Sequence, residues 1–146
     1  MFKFRLQAVL EYRTILEERM LLRFSEATRR LDEEKNRLEL LIKERFNLVA
    51  ALKNLQENAT PVEKIAMLIR YIEDLQEKET RQRDVISGIA VEVEEKRKDL
   101  LESVQKRKMI EKLREKNLED YQQSLADFDR KIMDEMGITR FGGVKS

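Results

Sequence analysis

The chain has 146 residues, 40% of them charged and 6% aromatic, with one proline, four glycines and no cysteine, histidine or tryptophan. So much charge with so few breakers is the composition of long helices or coiled coil, not of a mixed globular domain. Thirty basic and 29 acidic residues leave a net charge of +1, so no overall field favours nucleic acid or an anionic membrane.

Without His or Cys the common general base, thiol nucleophile and zinc ligands are missing, and no Gly-rich phosphate loop occurs. Catalysis, cofactor and metal are therefore not expected. No apolar run approaches the roughly 18 residues of a membrane-spanning helix, and the start Met-Phe-Lys-Phe-Arg-Leu has no signal-peptide core. A cytoplasmic protein without direct membrane insertion is expected.

The first helix is expected over about 4–58. Its seam runs in alternating steps of three and four through Leu10, Arg13, Glu17, Met20, Phe24, Ala27, Leu31, Glu34, Leu38, Leu41, Arg45, Leu48, Leu52 and Leu55. Ten of these 14 positions are apolar, which sustains a heptad pattern. The only proline then punctuates the chain within Asn58-Ala59-Thr60-Pro61-Val62-Glu63. Pro61 has no N–H to donate and stops the arriving helix, yet its fixed φ suits the start of the next. Thr60 and Glu63 have capping-box spacing, and Asn58 suits a left-handed helix exit. A turn at 58–61 is expected.

The second helix is expected over about 61–136. Its apolar positions are Val62, Ile65, Ile69 and Ile72, then, past a polar gap around Gln76, Glu79 and Arg83, Ile86, Ala90, Val93, Leu100 and Val104. The pattern resumes at Leu118, Tyr121, Leu125, Phe128 and Ile132. Gly88 reads as a tolerated helical glycine that costs about 1 kcal/mol relative to alanine. Gly137, Gly142 and Gly143 suggest a flexible tail at 137–146. The fold class expected is all-α, a single antiparallel two-helix coiled-coil hairpin over 1–146 with the longer helix C-terminal.

Antiparallel folding brings together residues whose numbers sum to about 119. Arg45 then faces Asp74, and Arg13 and Glu17 fall near Arg107 and Glu111. A parallel homodimer would instead stack Arg13 on Arg13 and Arg45 on Arg45, so a monomeric hairpin is preferred. Residues from about Asp120 to Met136 lack a partner arm and carry Tyr121, Leu125, Phe128, Ile132 and Met133 on one face, as an interaction surface does. Two further patches stand out. The stretch 104–117 holds six basic and two acidic residues, with no aromatic side chains interleaved as nucleic-acid binding would favour. Near the turn, Leu41, Phe46, Leu48, Tyr71 and Leu75 can form an apolar patch.

The opening Phe4-Arg5-Leu6-Gln7-Ala8-Val9-Leu10-Glu11-Tyr12-Arg13, followed by Glu17-Glu18, resembles the start of the flagellar FliJ family. The run Glu111–Tyr121 and then Asp134-Glu135-Met136 are similar to that family's C-terminal region. The resemblance implies a stalk-like coiled coil of the flagellar type III export apparatus. Such a stalk inserts its terminal end into a hexameric export ATPase, promotes ring assembly, contacts the membrane export gate nearer the turn and escorts export chaperones. It also implies a place at the cytoplasmic face of the inner membrane. Carried over by position, ring contact falls on Phe4, Leu6, Leu10, Tyr12, Arg13, Leu118, Tyr121, Leu125, Phe128 and Ile132, and gate contact on Leu41, Leu48, Tyr71 and Leu75. The rival reading is a coiled-coil homodimeric scaffold. A hairpin that enters an enzyme channel with paired acids at its turn is disfavoured, because the tip offers only Glu57, Asn58 and Thr60.

Overall fold

The computed structural model describes the backbone of residues 1–145 and the side chains of residues 1–137. It is 93% helical, with no strand among the described residues. Helix α1 spans Gln7–Glu57 (51 residues) and α2 spans Val62–Lys145 (84 residues). Contacts group the chain into two compact units, Met1–Glu18 with Leu101–Ser146, and Arg19–Leu100.

In the unit Arg19–Leu100 the two helices run antiparallel on either side of the turn. Arg45 Nε donates to Glu79 Oε1 at 2.7 Å, Gln82 Nε2 to the Glu34 carbonyl at 2.9 Å, and the Tyr71 hydroxyl to Glu44 at 2.8 Å. Arg30 pairs with Glu92. These residue numbers sum to about 120, the register expected of a hairpin closed near residue 60. All 14 seam positions of α1 are buried or half-buried, and Ala27, 1% exposed, is the most enclosed.

The inner face of α2 differs in phase from the expectation. It follows Ile65, Leu68, Ile72, Leu75, Glu79, Gln82, Ile86, Ile89, Val93, Lys96 and Leu100, in strict steps of three and four. Val62, Ile69 and Ala90 are exposed. The run Ile65-Ala66-Met67-Leu68-Ile69 is apolar on several faces, so periodicity alone does not choose the one that meets α1. Arg45 correspondingly pairs with Glu79 and not Asp74. Asp74 shares the axial level but lies on the outer surface, whereas Glu79 is on the seam and only 4% exposed. The polar gap is thus a seam segment, in which the carboxylates of Glu79 and Glu34 accept hydrogen bonds from Arg45 and Gln82. No side-chain polar atom among the described residues is buried without a partner.

The turn uses Pro61 differently from a capping box. The Pro61 carbonyl accepts from the N–H groups of Lys64 and Ile65, which puts Pro61 at the N-cap itself. The Thr60 hydroxyl turns away and donates to the Asn58 carbonyl at 2.6 Å. No described non-glycine residue has a positive φ, so Asn58 does not make the left-handed exit. Glycine also fails to end α2: the helix passes through Gly137 and continues to Lys145 where a flexible tail was expected. Glycine weakens a helix by about 1 kcal/mol but terminates it only by taking a positive φ, which no described glycine does. Ser146 lies outside the described residues.

In the unit Met1–Glu18 with Leu101–Ser146, the segment before α1 folds onto α2. Phe4 is buried, its carbonyl accepts from the Gln7 N–H at 3.1 Å, and the Phe2 and Tyr121 rings lie 5.6 Å apart. Arg107 on α2 bridges Glu17 of α1 and Glu111 one turn on, beside the buried Ser103. Both carboxylates, by hydrogen bonding and then by charge, hold the guanidinium more basic than usual. The expected grouping of Glu17 with Arg107 and Glu111 is therefore present.

Candidate functional site

Two exposed surfaces stand out, one in each unit. The first lies where α2 outlasts its partner. Contacts from the first 18 residues reach Tyr121, and every residue from 122 to 136 is exposed. Along this length Leu125 (45% exposed), Phe128 (60%), Ile132 (39%) and Met136 (63%) line one face, with Met133 beside them. Seating such side chains on a partner is worth roughly 1 kcal/mol each, since they are already about half covered by their own helix. About 5 kcal/mol in total is comparable to the freedom lost on association, so burial of this face alone would support no more than weak, reversible association.

The residues expected at this end divide into two groups. Phe4, Leu6, Leu10, Arg13, Leu118 and Tyr121 are buried or half-buried where α1 and α2 meet, and they hold the base of the projecting helix. Tyr12, with the Arg13 guanidinium 5.8 Å from its ring centre, is exposed at 58%, as are Leu125, Phe128 and Ile132 to the extents given. Phe2 was not anticipated as part of this end. Its aromatic ring ahead of Phe4 is the only signal the sequence offers.

The second surface adjoins the turn. Leu75 is the most enclosed large side chain, at 1% exposure, and Leu41 and Leu48 are half-buried, so all three serve the seam. Tyr71 alone of the four expected contacts faces outward. It borders an open apolar groove of about 390 Å³ lined by Leu55, Lys64, Met67, Leu68 and Tyr71. Glu44 accepts from the Tyr71 hydroxyl and, by that bond and its charge, raises the phenol above its usual value. Met67, 72% exposed, was overlooked because it belongs to no seam phase.

The basic stretch 104–117 is partly used internally: Lys106 pairs with Glu102 and Arg107 with Glu17 and Glu111. Lys108, Lys112 and Lys116 form an exposed row at four-residue spacing. Among the described residues no group of three or more His, Cys, Asp or Glu could hold a metal ion, and no helix is long and apolar enough to cross a membrane.

Neither the curated proteins nor the solved structures include a match to this chain. The family described as "Flagellar FliJ protein" matches residues 2–146, nearly the whole length. A helical hairpin whose polar seam is internally satisfied and whose exposed apolar surfaces lie at a helix end and beside a turn agrees with a structural component of a protein-export machine. The chain belongs to the flagellar FliJ family, whose members are non-catalytic components of the flagellar export apparatus.

Proposed function

We propose that this protein is the stalk of the flagellar export ATPase. The projecting end of α2 enters the central opening of the hexameric ring, and the turn-proximal surface engages the cytoplasmic part of the membrane export gate. The carrying observation is the apolar face from Leu125 to Met136, exposed on a helix that has run past its partner. A single helix is about 10 Å across, narrow enough for a ring's axial hole. Filling that hole favours ring closure by the binding energy of the tip, while ATP chemistry stays with the ring. Gate contact rests on Tyr71 and Met67 at the groove, not on the enclosed Leu75. Escort of export chaperones belongs to the same reading, with the exposed flanks of the hairpin as the available surface.

The test is a truncation after Gln122, which keeps Tyr121 against Phe2. The thermal melt should be unchanged and stimulation of the purified export ATPase should be lost. Undiminished stimulation refutes ring insertion. Met67→Glu with Tyr71→Glu should weaken binding to the gate's cytoplasmic domain about tenfold or more, at unchanged ATPase stimulation. If both activities fall together, the groove is not a separate gate contact.

A further inference from the structure

Two grooves open on one side of the unit Arg19–Leu100, and the same flank of α2 lines both. The first is the apolar groove beside the turn, to which Lys64, Met67 and Tyr71 contribute. The second, of about 290 Å³, is lined by Leu41, Lys78, Arg81, Gln82 and Val85. Lys64, Tyr71 and Lys78 are spaced seven residues apart. At about 100° of turn per residue they follow nearly one line along α2. The hydrogen bond from Tyr71 to Glu44 crosses to α1 where the two grooves adjoin, so together they form one trough.

The charges along this trough are not all engaged within the chain. Glu44 is held by the Tyr71 hydroxyl, and Arg81 by Glu77 one turn back. Lys64 and Lys78 are exposed and have no ion-pair partner among the described residues, and Asp74, one turn from Lys78, does not pair with it. Between these two lysines lie the exposed Met67 and Tyr71. Fourteen residues of helix set the lysines about 21 Å apart along the axis. The complementary surface therefore carries apolar side chains between two carboxylates at that separation. Both walls are helices whose backbone groups are already paired, so they offer a partner no main-chain hydrogen bonds. A docking segment must satisfy its own backbone, which a helix does, and the furrow between two helices seats a third.

We infer that this trough receives an amphipathic helix with acidic residues at both ends of its apolar face, supplied by the cytoplasmic part of the export gate. The inference rests on the gate-contact reading and adds the chemistry of what docks there. Lys64 and Lys78 guide and orient the incoming helix more than they add affinity. They also make docking sensitive to ionic strength.

The experiment uses the full chain, a variant carrying Lys64→Gln and Lys78→Gln, and a control carrying Lys53→Gln. Lys53 is exposed and lies about 160° around α1 from Leu55, away from the trough. Binding to the purified cytoplasmic domain of the gate is measured at low and high salt. At low salt the double variant should bind about fivefold more weakly than wild type and control, and all three should converge at high salt. In a second arm, a helical peptide of leucine and glutamate is titrated into the ¹⁵N-labelled chain, with a leucine and lysine peptide for comparison. Amide shifts should concentrate in residues 41–55 and 64–85 with the acidic peptide and be absent there with the basic one. Equal gate binding by double variant and wild type at low salt overturns the acidic helix and leaves gate contact to the Met67 and Tyr71 substitutions. Shifts that both peptides produce, or that avoid the trough, overturn the inference whatever the gate does. Acidic-peptide shifts at the trough without any gate binding uphold an acidic helix as occupant but reject the gate as its source. Self-association in sedimentation that the two lysine substitutions abolish makes a second copy the occupant, and overturns the assignment to the gate.

Discussion

The pair Arg45–Glu79 tests whether the polar seam is read correctly, because its two halves are unequally enclosed. The Glu79 side chain is 5% exposed and that of Arg45 27%, with 2.7 Å between Nε and Oε1. Replacing Arg45 by leucine strands a carboxylate inside the seam. Breaking a fully buried pair costs about 3–5 kcal/mol, and the partial access of water through the Arg45 side reduces this to about 2–3 kcal/mol. Replacing Glu79 by leucine leaves the arginine free to extend its head to water over its apolar stem, at a cost of about 0–1 kcal/mol. The double variant puts leucine on leucine in the seam and should equal or exceed the wild type by about 1–2 kcal/mol. Urea unfolding followed by circular dichroism at 222 nm gives the four stabilities, and sedimentation establishes that each protein keeps its association state. Equal costs for the two single variants, or a double variant less stable than either, would refute the reasoning.

Two other outcomes are expected. Gly88→Ala should raise the stability of the hairpin by about 1 kcal/mol in the same assay, since a Cβ at that position meets nothing within 4 Å; a loss would mean that the helix bends there. In a Tyr12→Phe, Tyr121→Phe background, ultraviolet titration should show Tyr71 ionising above the ordinary tyrosine range, and Glu44→Gln should bring it down. The linked stability is present below the ordinary tyrosine value and disappears as the pH rises through the elevated one, so Glu44→Gln should flatten the alkaline limb of the melting profile. No change in the titration on removing Glu44 would break the assigned hydrogen bond.

The seam of α1 was legible residue by residue because its charged members, Arg13, Glu17, Glu34 and Arg45, interrupt an otherwise unambiguous three-and-four rhythm without shifting it. The start of α2 was not. Val62, Ile65, Ile69 and Ile72 make as good a stripe as Ile65, Leu68, Ile72 and Leu75, and only the partner helix distinguishes them. The stretch around Gln76, Glu79 and Arg83 reads as a break because the residues that satisfy Glu79 and Gln82, namely Arg45 and Glu34, are distant in the chain. The capping box at Thr60 failed for a local reason, since Pro61 can itself take the N-cap and leave the threonine hydroxyl to the Asn58 carbonyl. The overhang needed only residue counting from Pro61. Which side chains at its base are enclosed depended on Phe2 and Phe4 folding back ahead of α1. Of the turn-proximal surface, the sequence supplied Tyr71 but not the groove, whose lining joins the seam residues Leu55 and Leu68 to Lys64, Met67 and Tyr71 outside it.

Each residue of α1 between Arg19 and the turn has a counterpart in α2 at a fixed numerical complement. A deletion or duplication in one arm would therefore misalign every layer beyond it, unless the other arm changed by the same number of residues, most easily seven. Past Tyr121 that bookkeeping lapses. Relatives should accordingly vary their arms in matched increments while the projecting segment lengthens or shortens independently, fitted to the depth of whatever receives it.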